Sequence, residues 1–219
     1  MSENNLEENI DLINDDSDLN EENSSENKEA SEVKDNAVLK EVLSWIKMIA
    51  VGAIIGILLV VFVIQRDNVF GDSMFPTLIS GEVIFTEKIS TYFHNYHRGD
   101  IVILDGHDMP GYNREEYLIK RIIALPGETI KIEEGKVYIK EVGAADFVLL
   151  DEPYLQDDVV TTVMFDGYSE VTLADNEYFC MGDNRIVSND SRNLGPFSVD
   201  RIKGIAFIAV FPFDHFGLL

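Results

Sequence analysis

"YLIKRIIALPGETIKIEEGKVYIK", residues 117–140, is the stretch on which the fold turns. Much of it alternates apolar and polar side chains at period two, the spacing of strands whose residues point to opposite faces of a sheet. "IKIEEGKVYIK" reads as a hairpin with its turn near "EEGK". In "YLIKRIIAL" the same alternation puts Leu118, Lys120 and Ile122 on one face and Ile119, Arg121 and Ile123 on the other. Working outward, short alternating or apolar runs recur in "VIFTE", "DIVIL", "FVLL", "EYFCM" and "IKGIAFIAVF", each bounded by turn-forming residues. After residue 66 no stretch of ten or more residues has clear helical periodicity, and no internal repeat is evident. A mostly β domain is therefore predicted over residues 67–219.

Ahead of it lies "MIAVGAIIGILLVVFVI", residues 48–64, without a single charge. With "VLSWI" before Lys47 the apolar run reaches membrane-spanning length if that lysine snorkels to the interface. The segment 38–66 is read as a single transmembrane anchor. A secretory signal peptide is the competing reading, but its leader is short and basic, whereas the residues before this run number about 40 and are acidic. Residues 1–37, rich in Asn, Glu, Asp and Ser, bury too little apolar surface to offset chain entropy and are expected to be a disordered tail. Lys34, Lys40 and Lys47 precede the span and Arg66 follows it, a small excess that favours a cytoplasmic N-terminus and an extracytoplasmic domain.

The chain carries a formal net charge of -23, with thirteen Asp and Glu against three lysines in residues 1–40. Such a balance repels phosphate backbones, and no basic stripe or zinc-finger spacing opposes it, so nucleic acid is excluded as an expected partner. The lone Cys180 sits in apolar sequence and reads as a core residue. His94 and His97 have no Cys, His or carboxylate cluster to complete a metal site, and no metal is expected.

Three polar features remain. "GDSMFPTLISGE", residues 71–82, holds Ser73, which is either a capped turn residue or a nucleophile in need of a base. Lys120 is flanked by apolar strand residues; it is either an edge lysine reaching solvent or a desolvated amine whose lowered pKa suits it to accept a proton. A Ser-His-Asp arrangement stays open on sequence alone, because such triads are set by geometry and not by order. "MGDNRIVSNDSRNLG", residues 181–195, crowds Asp183, Asn184, Arg185, Ser188, Asp190, Ser191 and Arg192 together, more hydrogen-bonding groups than a surface turn requires.

Taken together, these features resemble the bacterial type I signal peptidases, membrane-bound Ser-Lys proteases that remove signal peptides from exported preproteins. "GDSMFPTL" resembles the family's nucleophile box, "RGDIVIL" its next strand, "IKRIIALPGE" the lysine box, and "MGDNRIVSNDSR" with "LGPF" the last box. "DEPYL" and "FPFDHFG" look like members from Gram-positive bacteria. The resemblance implies Ser73 as nucleophile, Lys120 as general base, and Ser188 as the hydroxyl that bonds and aims the lysine. It further implies an Asp183–Arg121 pair, with Asp190 and Arg192 shaping the last loop. Some members place a serine hydroxyl two residues before the nucleophile, but Gly71 stands there, so the oxyanion would rest chiefly on the Ser73 backbone N–H. Ile119 is a weaker candidate for lining the substrate pocket. The implied substrates carry small residues, typically Ala, at the first and third positions before the cut, and the chemistry needs no cofactor. The implied partners are such preproteins and membrane lipid. A membrane-tethered β domain that binds exported chains without cutting them is the rival from another class.

Overall fold

The structure, a computed structural model, describes residues 39–109, 112, 116–164 and 167–219; the acidic tail of residues 1–37 lies outside them. Helix α1 (Leu39–Phe62) is long and apolar enough to cross a membrane. It ends before the expected boundary at residue 66: Ile64–Asn68, where polar residues enter the sequence, already forms a strand. The rest of the described chain is mostly β, as its alternation predicts.

Twelve strands follow α1 among the described residues, with two short helices, α2 (Ile89–Phe93) and α3 (Ser191–Leu194), between them. The larger sheet contains β1 (Ile64–Asn68), β2 (Val83–Glu87), β3 (Ile101–Asp105), β4 (Tyr117–Ala124), β9 (Glu177–Met181), β10 (Phe197–Ser198), β11 (Ile202–Phe211) and β12 (Gly217–Leu218). Its order is β1-β2-β11-β3-β4-β9-β10, with β12 beside β11. The smaller sheet has the order β7-β6-β5-β8, from β5 (Thr129–Glu133), β6 (Lys136–Lys140), β7 (Val148–Leu149) and β8 (Glu170–Thr172). The predicted hairpin is β5–β6. Its turn residues Glu134 and Gly135 have φ 49° and 79°, the paired positive values that match the twist of a two-residue hairpin.

Strand β4 is central to the construction. Its N-terminal half pairs with β3, matching Ile103 to Ile119, Val102 to Lys120 and Ile101 to Arg121. Pairing with β9 begins only at Arg121, opposite Met181, so Tyr117–Lys120 keep one edge without a strand partner among the described residues. Leu118 and Ile122 join a core with Val102, Leu104, Tyr178, Cys180, Phe197 and Ile202. Ile123 and Ala124 join a second core, with Phe179, Met181 and residues of β5 and β6, which fastens the two sheets together. A third core takes Met74 and Leu78 from the loop after β1 and packs them with Ile84, Ile101, Ile103, Ala206 and Ala209. That loop carries Ser73, so its conformation is fixed by burial of its own apolar residues.

Phe179 has no exposed surface and belongs to the core shared by the sheets. Phe179→Ala is expected to lower unfolding stability by about 3–5 kcal/mol, the cost of truncating a buried aromatic side chain. Urea denaturation of the detergent-solubilised chain measures this, and a loss under about 1 kcal/mol would mean the sheets are not joined through this core.

Candidate active site

The structure brings Ser73 and Lys120, 47 residues apart in sequence, into hydrogen-bond contact: 2.8 Å separates Lys120 Nζ from Ser73 Oγ. Lys120 also donates to the Ile119 carbonyl at 2.8 Å. Its side chain is not the solvent-reaching edge lysine of the alternative reading, because only 2% of the residue is exposed. Burial disfavours the ammonium and pulls the Lys120 pKa down to about 8, although Asp190, Cys180, Asp183 and Glu116 act in the opposite sense. As an ammonium it donates to Ser73 Oγ; a neutral amine at this distance could accept the hydroxyl proton.

Ser73 is held from both sides. Its carbonyl accepts the Asn184 N–H at 3.0 Å, which ties the nucleophile loop to the loop after β9. Its own N–H donates to no group among the described residues and is available to an incoming oxygen. Gly182 makes this closeness possible: a Cβ there would lie 2.3 Å from the Ser73 carbonyl oxygen and 2.3 Å from Ser188 Oγ.

The expected Arg121–Asp183 pair is present, and Asp190 and Arg192, expected to shape the same loop, form a second ion pair. Arg121 meets Asp183 in a bidentate contact, Nε to Oδ1 at 2.9 Å and Nη2 to Oδ2 at 2.6 Å. The guanidinium also donates to the Gly99 carbonyl and lies 4.1 Å from the centre of the Tyr154 ring. Thr77, unremarked in the sequence, donates its hydroxyl to Asp183 and so joins the nucleophile loop to this pair. Its only signal was position, four residues after Ser73. Asp190 accepts from Arg192 Nε at 2.9 Å and Nη2 at 2.8 Å, and from the Gly182 N–H at 3.0 Å. Burial works against the Asp190 carboxylate, but Arg192 and Gly182 together hold its pKa below the ordinary value. Arg192 also donates to the carbonyls of Arg185 and Thr162, and Arg185 reaches Thr161 and Glu152.

Ser188 differs from expectation. Its hydroxyl is buried close enough to help lower the Asp190 pKa, yet among the described residues it meets no group in hydrogen-bond geometry, Lys120 included. The Ile119 carbonyl holds the lysine where Ser188 was expected to, because a main-chain oxygen one residue away is anchored by the β3–β4 pairing. Ile119 thus touches the base through its backbone, and it also lines the adjoining cleft.

That cleft has a volume of about 940 Å³ and contains Phe70, Ser73, Tyr117, Ile119, Lys120 and Val187 on its walls. Arg66, Asp67 and Asn68 of β1 border it as well. Edge strand β1 and the unpaired half of β4 therefore both face it, with Ser73 and Lys120 in the same wall.

A β fold that sets a serine hydroxyl against a buried, partly neutral lysine amine defines a serine hydrolase of the Ser-Lys class. Residues 42–211 match the family described as "Signal peptidase, peptidase S26", and the chain belongs to it. Among its relatives, Signal peptidase I S of Bacillus subtilis is 36% identical over 185 residues, covering 80% of this chain and 92% of its own. Signal peptidase I of Bacillus licheniformis is 32% identical, covering 84% and 97%. A crystal structure of a signal peptidase I from Enterococcus faecalis aligns with a TM-score of 0.40 at 25% identity, over 51% of this chain and 96% of that one.

A buried amine whose charged form is desolvated is a local cost to folding. Lys120→Met keeps the volume and removes that cost. It is expected to raise the melting temperature by roughly 2–5 °C, as measured by calorimetry, while Gly182→Ala lowers it by displacing the Ser73 carbonyl. An unchanged or lower Tm for Lys120→Met would mean that the lysine is not desolvated.

Proposed function

We propose that this protein is an endopeptidase that removes N-terminal signal peptides from exported preproteins at the outer face of the cytoplasmic membrane. The observation that carries the reading is the 2.8 Å approach of Ser73 Oγ to the amine of buried Lys120. Family membership supplies the substrate class, and α1 supplies an anchor to lipid. In this reading the acidic N-terminal tail is cytoplasmic, helix α1 (Leu39–Phe62) spans the bilayer, and the β domain from Ile64 onward lies outside it.

The two strand edges beside the cleft, without strand partners among the described residues, support an extended substrate. A preprotein segment that pairs with β1 or β4 presents its carbonyls and N–H groups at the spacing of a strand, and its alternate side chains point into the cleft. Ile119 lines the part that receives the small residues before the cut.

Neutral Lys120 takes the proton of Ser73 as Oγ attacks the scissile carbonyl. The Ser73 N–H then faces the developing oxyanion, a role open to it because no acceptor among the described residues claims it. Protonated Lys120 gives its proton to the leaving amine, which departs as the new N-terminus of the mature chain. Lys120, neutral again, activates water, whose oxygen attacks the acyl carbon and frees Ser73. The Arg121–Asp183 and Asp190–Arg192 pairs take no part in bond making; they hold the loops that carry Ser73 and surround the amine.

The test is cleavage of a preprotein with an Ala-x-Ala site by the full detergent-solubilised chain. Ser73→Ala and Lys120→Arg are each expected to lower kcat by roughly 10³-fold or more, because one lacks the nucleophile and the other cannot deprotonate. The wild-type rate is expected to fall as pH drops through about 8, where the amine takes up its proton. Substantial turnover by either variant, or binding of the preprotein without any cleavage by the wild type, would overturn the assignment.

A further inference from the structure

The loop that presents Ser73 is closed by two main-chain bonds, Val69 N–H to the Glu82 carbonyl and Gly81 N–H to the Val69 carbonyl, each at 2.9 Å. Glu82 stands at the point of closure with its carboxylate turned inward, only 1% of the residue being exposed. One oxygen accepts the Ile79 N–H at 3.1 Å, and the other lies 2.8 Å from Nδ1 of His215. His215 comes from the short helical turn Phe213–His215 beyond β11, 133 residues away in sequence. It belongs to "FPFDHFG", a stretch that the mechanism above leaves without a role.

A carboxylate in that position needs donors, because an unpaired buried charge is strongly unfavourable. Ile79 supplies a local one from within the loop, which cannot fix the loop against anything else. His215 supplies the external one. Within the same loop Gly71 N–H bonds Ser80 Oγ at 3.2 Å, so a shift at residues 79–82 passes to the backbone two residues before the nucleophile. On the far side Ser73 is restrained through its carbonyl, through Lys120 on its hydroxyl, by the Thr77–Asp183 bond and by the burial of Met74 and Leu78.

We infer that His215 is a positioning residue for Ser73, acting through Glu82 to hold the nucleophile loop in register with Lys120. The inference rests on the proposed role of Ser73 and Lys120. His215 touches neither of them; it donates Nδ1–H to the Glu82 carboxylate, and the loop transmits the restraint.

Steady-state cleavage of an Ala-x-Ala preprotein by the full chain tests this, with thermal melts in parallel. His215→Ala is expected to lower kcat about tenfold with KM within about twofold, since misplacement of a reacting group costs rate while the cleft is untouched. His215→Asn, which keeps a donor for the carboxylate, is expected to recover most of the rate. Glu82→Gln is expected to lower kcat as well, and combining it with His215→Ala to add little to the larger single loss. A residue that only stabilises the fold would lower Tm and leave kcat of the folded protein unchanged. That result, equal losses for Ala and Asn, or additive losses with Glu82→Gln, would overturn the inference. Should His215→Ala fail to fold, His215→Asn and Glu82→Gln still decide: near-wild-type rate with the first and a reduced rate with the second support it, and any other pattern contradicts it. Wild-type cleavage that persists in Ser73→Ala would instead overturn the underlying reading of the site.

Discussion

Everything at this site depends on taking one lysine out of water. Lys120 sits in a strand whose neighbours on the same face, Leu118 and Ile122, are core residues, and it is almost wholly buried itself. In water its amine would be charged and useless as a base at neutral pH. Desolvation moves its pKa to about 8, within reach of physiological conditions, against the pull of Asp190 and Asp183 nearby. The opposition is instructive. Those carboxylates themselves face arginines, Asp190 with Arg192 and Asp183 with Arg121. The ion pairs around the site brace the loops beside Lys120.

The same constraint explains the layout of the sheet. A lysine paired on both sides within a sheet would have no room for a substrate, and one on an exposed edge would stay charged. β4 resolves this by pairing with β9 only from Arg121 onward. Both halves supply core contacts, and the half before Arg121 leaves an edge beside the cleft without a second strand partner among the described residues. The nucleophile then approaches from a separate loop, pressed into the third core by Met74 and Leu78 and tied to the last polar loop through Asn184.

Much of this was legible in the sequence, for physical reasons that can be traced residue by residue. Strand periodicity marked the β5–β6 hairpin and the first half of β4 because one face of each is buried, and the uncharged run 48–64 marked α1 because few other segments read that way. Lys120 stood out as a charge among aliphatic strand neighbours. What sequence could not reach was geometry that depends on main-chain atoms. The Ile119 carbonyl, and not Ser188, bonds the lysine, and no residue type announces a carbonyl's direction. Thr77 and the Glu82–His215 contact escaped for a related reason, since their partners lie 106 and 133 residues away and neither pair has a characteristic spacing. The end of α1 was placed too late because Gln65 and Arg66 suit a membrane interface as well as a strand.

The central claim is that Lys120 is a base because burial makes it one, and its titration measures that directly. Lysine labelled with carbon-13 at Cε reports protonation through its chemical shift in the intact, solubilised protein, and the Lys120 resonance is the one missing from Lys120→Arg. That resonance is predicted to titrate near pH 8. A midpoint at the ordinary lysine value, about 10.4, would contradict the account, because the amine would then hold its proton when Ser73 needs to give one up.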